Sequence, residues 1–240
     1  MIATAQRVLW QIRRDPRTIA LLLGVPVGLL VLVRYVFDSQ LSTFKAIGAP
    51  MCGLFPFILM FLITSIAMLR ERTSGTLERL MSLPLSKGGL LAGYGVAFGV
   101  LAAIQAAIVC TVGFTWLGLD AAHGVWLVAL LAIGNAILGM SLGLFASAFA
   151  RTEFQAVQFM PALIFPQLLL CGLFVPRDAM AKPLQWVSYA FPLTYAYDAL
   201  VKATHPAELG AVFALDVVVV VGATVIALGL GALTLRRRTA

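Results

Sequence analysis

"RERTSGTLERLMSLPLSKGG", Arg70 to Gly89, separates two long apolar runs. It gathers four basic and two acidic residues in a chain that is only 11% charged and 61% hydrophobic. Ordinary soluble domains are roughly 45–50% apolar and about 25% charged. A water-soluble fold of 240 residues needs more polar surface than this. The composition therefore predicts an all-α integral membrane protein, and the quoted stretch is a polar loop between two of its spans.

A span needs about 20 mostly apolar residues. Six segments qualify: 19–37, 50–69, 90–117, 124–150, 156–175 and 211–235. They are expected as helices, because lipid offers no partner to backbone N–H and C=O groups. An even number of spans puts both termini on one side. That side receives Arg7, Arg13, Arg14, Arg17, Arg70, Arg72, Arg79, Lys87, Arg151 and Arg236 to Arg238. The other face receives Arg34, Lys45, Arg177, Lys182 and Lys202. Basic residues favour the cytoplasm, so the termini and the quoted loop are predicted to be cytoplasmic. The net charge of +7 flanks the apolar runs and forms no stripe for nucleic acid.

Residues 1–18 read as an amphipathic interfacial helix. Ile2, Ala5, Val8, Leu9 and Ile12 share one arc, and Arg7, Arg14 and Arg17 take the opposite one, facing headgroup phosphates. Trp10 and Arg13 complete its candidate interface set. Pro16 should break the helix before the first span. Four arginines precede an apolar run too long for a cleaved leader. The domain from 19 to 235 holds the spans, with a loop at 70–89 and an outer segment at 176–210; a basic tail covers 236–240. The outer segment carries Pro176, Trp186, Pro192 and Tyr195 and reads as short helices at the interface, where aromatic rings are favoured. Cys52, Cys110 and Cys171 all fall within apolar runs and read as small buried hydrophobes.

Several chemistries are excluded. "GMSLG", Gly139 to Gly143, has the letters of a nucleophile elbow, but the elbow needs a strand, a turn and a helix. The two histidines, His123 and His205, fall in expected outer loops. The bland reading is a small-residue contact through Gly139 and Gly143, with Gly95 and Gly99 a second pair. No GxxxxGK followed by Ser or Thr exists to cradle ATP. No His, Cys or carboxylate cluster suggests a metal. Arg34 and Asp216 lie near the outer ends of spans and read as snorkelling groups, with Asp38 one turn from Arg34. Pro161 and Pro166 should kink the fifth span, as a fixed bend or a gating hinge.

Within the quoted loop, Gly75 interrupts the second span. Leu77, Leu80 and Met81 then form one apolar face of a short helix that Pro84 ends. Alone it is unstable, so it must dock on something. The order Glu71, Arg72, Gly75, Thr76, Leu77, Glu78, Leu80, Pro84 resembles the E-R-x-x-G-T-L-E-x-L-x-x-x-P pattern of the ABC-2 type permeases, the membrane subunits of ABC exporters. Late in the chain, Gly172, Phe174, Pro176, Pro183, Leu184, Pro192, Leu193 and Thr194 are similar to that family's outer segment. Family members often carry arginine or glutamine soon afterwards, where Val201 and Lys202 stand here. The likeness is nearest to the short drug- and lipid-exporting branch, of daunorubicin-resistance and nodulation-export type, which has no fused ATPase.

The resemblance implies an exporter permease fold of six transmembrane helices, with an N-terminal interfacial helix and short re-entrant outer helices. It implies two copies of a separate ABC ATPase, which carry ATP and Mg, and a second permease chain, identical or paralogous. The loop residues named above, with Arg79, would be the ATPase interface. No catalytic residue, cofactor or nucleic acid is expected on this chain. The expected cargo is a hydrophobic or amphipathic drug, antibiotic or lipid, on a path lined by the first, second and fifth spans. The alternative is a polysaccharide or lipid-linked glycan. The expected site is a cell membrane, a bacterial inner membrane above all.

Overall fold

The computed structural model describes residues 2–76, 87–206 and 208–234. The chain is helical: α1 (Ile2–Arg13), α2 (Pro16–Val36), α3 (Leu41–Thr73), α4 (Lys87–Thr115) and α5 (Val125–Ala146) come first. Then follow α6 (Glu153–Phe159), a π-helical turn (Met160–Ile164), α7 (Phe165–Leu170), a 3-10 turn (Arg177–Ala179), α8 (Lys182–Ser188), α9 (Pro192–Thr204) and α10 (Ala211–Leu233). Among the described residues, five helices are long and apolar enough to cross a membrane: α2, α3, α4 from Ala92, α5 and α10.

The expected fifth span, 156–175, is instead broken into α6, the π turn and α7. Pro161 lies in the π turn and Pro166 in the first turn of α7. Each removes one backbone donor, and wider i to i+5 bonding absorbs the mismatch. The second span is longer than expected. It runs 33 residues through Pro50 and Pro56. It stops at Ser74, whose N–H returns to the Arg70 carbonyl at 2.9 Å. Gly75 follows at φ 72°, a left-handed turn that glycine adopts without a Cβ clash.

Pro16 does separate α1 from α2. Its place is the first helical turn, where its missing N–H costs nothing. Asp15 caps that turn, accepting from the N–H groups of Arg17 and Thr18 at 3.2 Å and from the Thr18 hydroxyl at 2.6 Å. These bonds, the Thr18 hydroxyl foremost, hold the Asp15 carboxyl below its usual pKa.

Helix α3 lies at the centre of the bundle, packed along α5 and touched by α2, α4 and α9. Glycine permits the α3–α5 approach. A Cβ on Gly139 would sit 2.1 Å from the Phe57 carbonyl oxygen, and one on Gly143 would sit 2.4 Å from that of Phe61. This pair therefore makes the expected close contact. The second pair does not: a Cβ on Gly95 or Gly99 would meet nothing within 4 Å. Ser141 is buried inside α5, and its hydroxyl donates to the Leu138 carbonyl at 2.8 Å. All three cysteines are free and buried, as expected.

At the end of the bundle opposite α1, α8 and α9 form the short helices expected of the outer segment. Pro192 opens α9, Pro176 precedes the 3-10 turn, and the Tyr195 hydroxyl donates to the Tyr189 carbonyl at 3.0 Å. Trp186 departs from the packing expectation: it is 76% exposed. Arg34 and Asp38 pair at 2.9 Å, one turn apart as expected. Asp216 does not snorkel. Its side chain is 3% exposed and accepts a hydrogen bond from Lys202 of α9. A cation one element away brings the charge into the bundle.

Candidate functional site

The site lies where α3 ends beside α1. Successive helical residues step about 100° around the axis. Three consecutive charges therefore point three ways, and each finds a different element. Arg70 makes a forked contact with Glu153 of α6, at 2.7 and 2.9 Å. Glu71 accepts from Arg7 of α1 at 3.3 Å. Arg72 reaches the Thr234 hydroxyl, just past α10, at 3.5 Å. The root of the loop at 70–89 is thus a hub tied to α1, α6 and the end of α10.

The middle contact is the most buried. Glu71 is 8% exposed, on the inward face of α3. The Arg7 guanidinium also donates to the Tyr94 hydroxyl of α4 at 2.5 Å and lies over that ring, 5.8 Å from its centroid. One arginine therefore joins α1, α3 and α4. Sequence periodicity placed Arg7 opposite the apolar arc, toward headgroups. The structure turns it inward, because Ala5 and Val8 pack α1 onto α4 and bring Arg7 to Glu71. Trp10 stays exposed, with the Arg13 guanidinium 5.4 Å from its ring centroid. Arg14 is exposed. Two buried nitrogens, Arg7 Nε and Arg72 Nε, have no hydrogen-bond partner among the described residues. The Arg70 hydrogen bonds, the largest cause, hold the Glu153 carboxyl below its ordinary pKa.

Beside this hub is a cavity of about 1050 Å³. Its polar rim includes Arg7, Asp15, Thr18, Arg70, Glu71 and Thr73, and its deeper wall includes Leu21, Val25, Leu59, Leu62 and Ile66. The walls come from the first and second expected spans, with Tyr94 and Phe98 of α4 behind them. The fifth expected span contributes no lining residue. The space is therefore polar at its rim and mainly apolar at depth.

Of the expected loop residues, Glu71, Arg72, Gly75 and Thr76 are brought to this end, and Thr76 and Ser74 share a hydroxyl contact at 2.9 Å. Leu77, Glu78, Arg79, Leu80 and Pro84 lie outside the described residues. Sequence reasoning missed Tyr94 and Glu153. Tyr94 carried a usable signal: a tyrosine hydroxyl at the head of an apolar run needs a partner. Among the described residues, no group of three or more His, Cys, Asp or Glu could hold a metal ion.

A family model described as "ABC-2 type transporter" matches residues 1–204. The chain is 27% identical over 166 residues to "ABC transporter G family member 20" of Dictyostelium discoideum, covering 69% of this chain and 23% of that protein. It is 30% identical over 140 residues to "Probable multidrug ABC transporter permease YbhR" of Escherichia coli, covering 57% and 37%. To "Probable multidrug ABC transporter permease YbhS" of the same organism it is 23% identical over 178 residues, covering 74% and 47%. The chain thus spans less than half the length of each of these relatives. Helical spans, the hub at the root of the 70–89 loop and a family match over most of the sequence lead to one conclusion: the chain belongs to the ABC-2 type transporter family, the membrane components of ABC transporters.

Proposed function

We propose that this chain is the permease subunit of an ATP-driven exporter of hydrophobic or amphipathic compounds. The observation that carries the reading is the cavity between α1, α2 and α3, polar at the α1 end and aliphatic in its depth. The α1 end faces the cytoplasm of a bacterial cell. A compound in the inner leaflet enters with its polar group at the rim and its apolar part between α2 and α3. The relatives named as multidrug permeases support this class of cargo. The lining is mainly aliphatic, with Tyr94 and Phe98 its two rings, and this favours an apolar cargo over a glycan, which stacks best on aromatic rings.

ATP is hydrolysed by a separate subunit, two copies of which serve a pair of permease chains. ATP and Mg belong to that subunit. Its closure moves the 70–89 loop, and the hub passes the movement on. Arg70 pulls on α6, Glu71 on α1 and α4, and Arg72 on the end of α10. Glu71 then acts inside the permease, as the brace of the loop.

The test is co-purification in mild detergent followed by reconstitution. The expected result is a complex whose ATP hydrolysis rises with hydrophobic drugs or lipids. A chain that brings down no ATPase, and whose transport ignores ATP, would overturn the reading.

A further inference from the structure

Helix α2 carries Pro26 in its interior. A proline has no N–H and so leaves the carbonyl four residues earlier without its helical donor. That carbonyl belongs to Leu22. In the structure it is met from another helix: Gln105 Nε2 of α4 donates to Leu22 O at 2.7 Å. Gln105 is fully buried and Leu22 is 2% exposed. The carbonyl can only accept, so the amide orientation is forced. Gln105 Oε1 is consequently left buried with no partner among the described residues.

The joint separates two unlike halves of α2. On the far side of Pro26, Val27, Leu30, Val31 and Val33 pack into a core with Phe44, Cys52 and Val109. On the near side, Leu21 and Val25 line the cavity. Gly24 and Gly28 flank the proline, and a Cβ on either would meet nothing within 4 Å. No packed side chain at those two positions resists a bend there.

We infer that Pro26 is a hinge and Gln105 its clasp, making residues 16–25 of α2 a movable wall of the cavity. The half-satisfied amide suits a clasp better than a permanent staple. Releasing Leu22 O breaks one hydrogen bond, but water admitted by the opening wall can then serve both that carbonyl and the orphaned Gln105 oxygen. The clasped state is therefore only shallowly favoured, and a bound molecule or a pull on α1 can shift it.

The experiment reads the wall directly, in the full chain purified into lipid nanodiscs without ATPase or cargo. Its failure would leave the transport reading untouched. Spin labels replace Leu21 and Ile66 across the cavity, with the native cysteines changed to alanine. The parent is expected to show two distances differing by roughly 3 Å, the arc of an arm five residues long at about 1.5 Å per residue turning through about 20°. Gln105→Leu should enrich the longer distance. Pro26→Ala restores the N–H to Leu22 O, so it should give a single short distance. The double variant should match Pro26→Ala alone. A parent already identical to Pro26→Ala overturns the hinge. An effect of Gln105→Leu that persists in the Pro26→Ala background overturns the clasp.

Discussion

Two charged networks stand at opposite ends of the bundle, and they are built differently. At the α9 end, Arg177 donates to Asp198, and Lys202 to Asp216. These pairs join residues 21 and 14 apart in sequence. At the α1 end, Arg7 joins Glu71 and Tyr94, which are 64 and 87 residues away. Both buried arginine nitrogens without partners belong to the α1 end. That end also borders the cavity. The α9 network is a closed local brace that ties α9 to the 3-10 turn and to α10. The α1 network is long-range and incompletely bonded. Such a network can be remade when one member moves.

The largest effect should come from breaking the brace. Lys202→Met leaves the Asp216 carboxylate buried and uncompensated. Removing one partner of a buried pair costs about 3–5 kcal/mol. Thermal unfolding of the purified chain in detergent should show the loss. Lys202→Met with Asp216→Leu should recover most of it, because two apolar groups replace two charges. A single variant as stable as the parent would remove the distinction between the ends.

Glu71→Ala should behave in the opposite way. Arg7 is 34% exposed at its side chain, so it can turn to water when its partner goes. Stability should fall by only about 1 kcal/mol. Drug- or lipid-stimulated ATP hydrolysis by the assembled complex should drop about tenfold, with the chain still in the membrane. Unchanged export would take Glu71 out of the mechanism.

Much of the fold was legible in the residues. Span length follows from apolar runs, and Gly75 and Pro16 mark helix ends by their own backbone limits. The loop at 70–89 announced itself by charge, and its root residues do form the hub. What stayed hidden depends on which helices are neighbours. The pairs Gly139/Gly143 and Gly95/Gly99 have the same spacing, yet only the first meets another backbone. Arg7 reads as a solvated residue on a helical wheel, because the wheel knows nothing of Glu71 and Tyr94. Asp216 sits near a span end, and its cation comes from α9, whose packing no local pattern predicts. The broken helix at 153–170 was half legible: two prolines promise a kink, but the π turn depends on how the freed carbonyls are bonded.

Tyr94→Phe sharpens the comparison on a smaller scale. It keeps the buried ring and removes only the hydroxyl that accepts from Arg7. The expected loss is about 1 kcal/mol, the usual worth of one hydrogen bond. The Arg7–Glu71 contact should survive, so transport should fall less than in Glu71→Ala. Equal losses in the two variants would mean that α4, rather than α3, carries the movement.

The smallest effect is one of sign. Burial, the leading cause, raises the pKa of Asp198 despite Arg177 and Lys202 beside it, with Asp216 adding to the rise. An acid whose folded pKa is raised favours the fold below its ordinary value, and that stability is lost as pH rises through the raised one. Glu153 is depressed by Arg70, so its contribution is present above the ordinary value of 4.5 and is lost as pH falls through the depressed one. The two ends therefore have opposite slopes. Asp198→Asn should reduce the destabilisation seen as pH rises above the ordinary value of 3.8. Glu153→Gln should cost a little near neutrality and nothing at strongly acid pH. The Arg70–Glu153 pair is exposed, so its share should also fade with added salt, whereas the half-buried Asp198 share should not. Unfolding scans across pH at two salt concentrations would decide it. Slopes of the same sign would show that the α9 brace and the α1 hub respond to protons as one network.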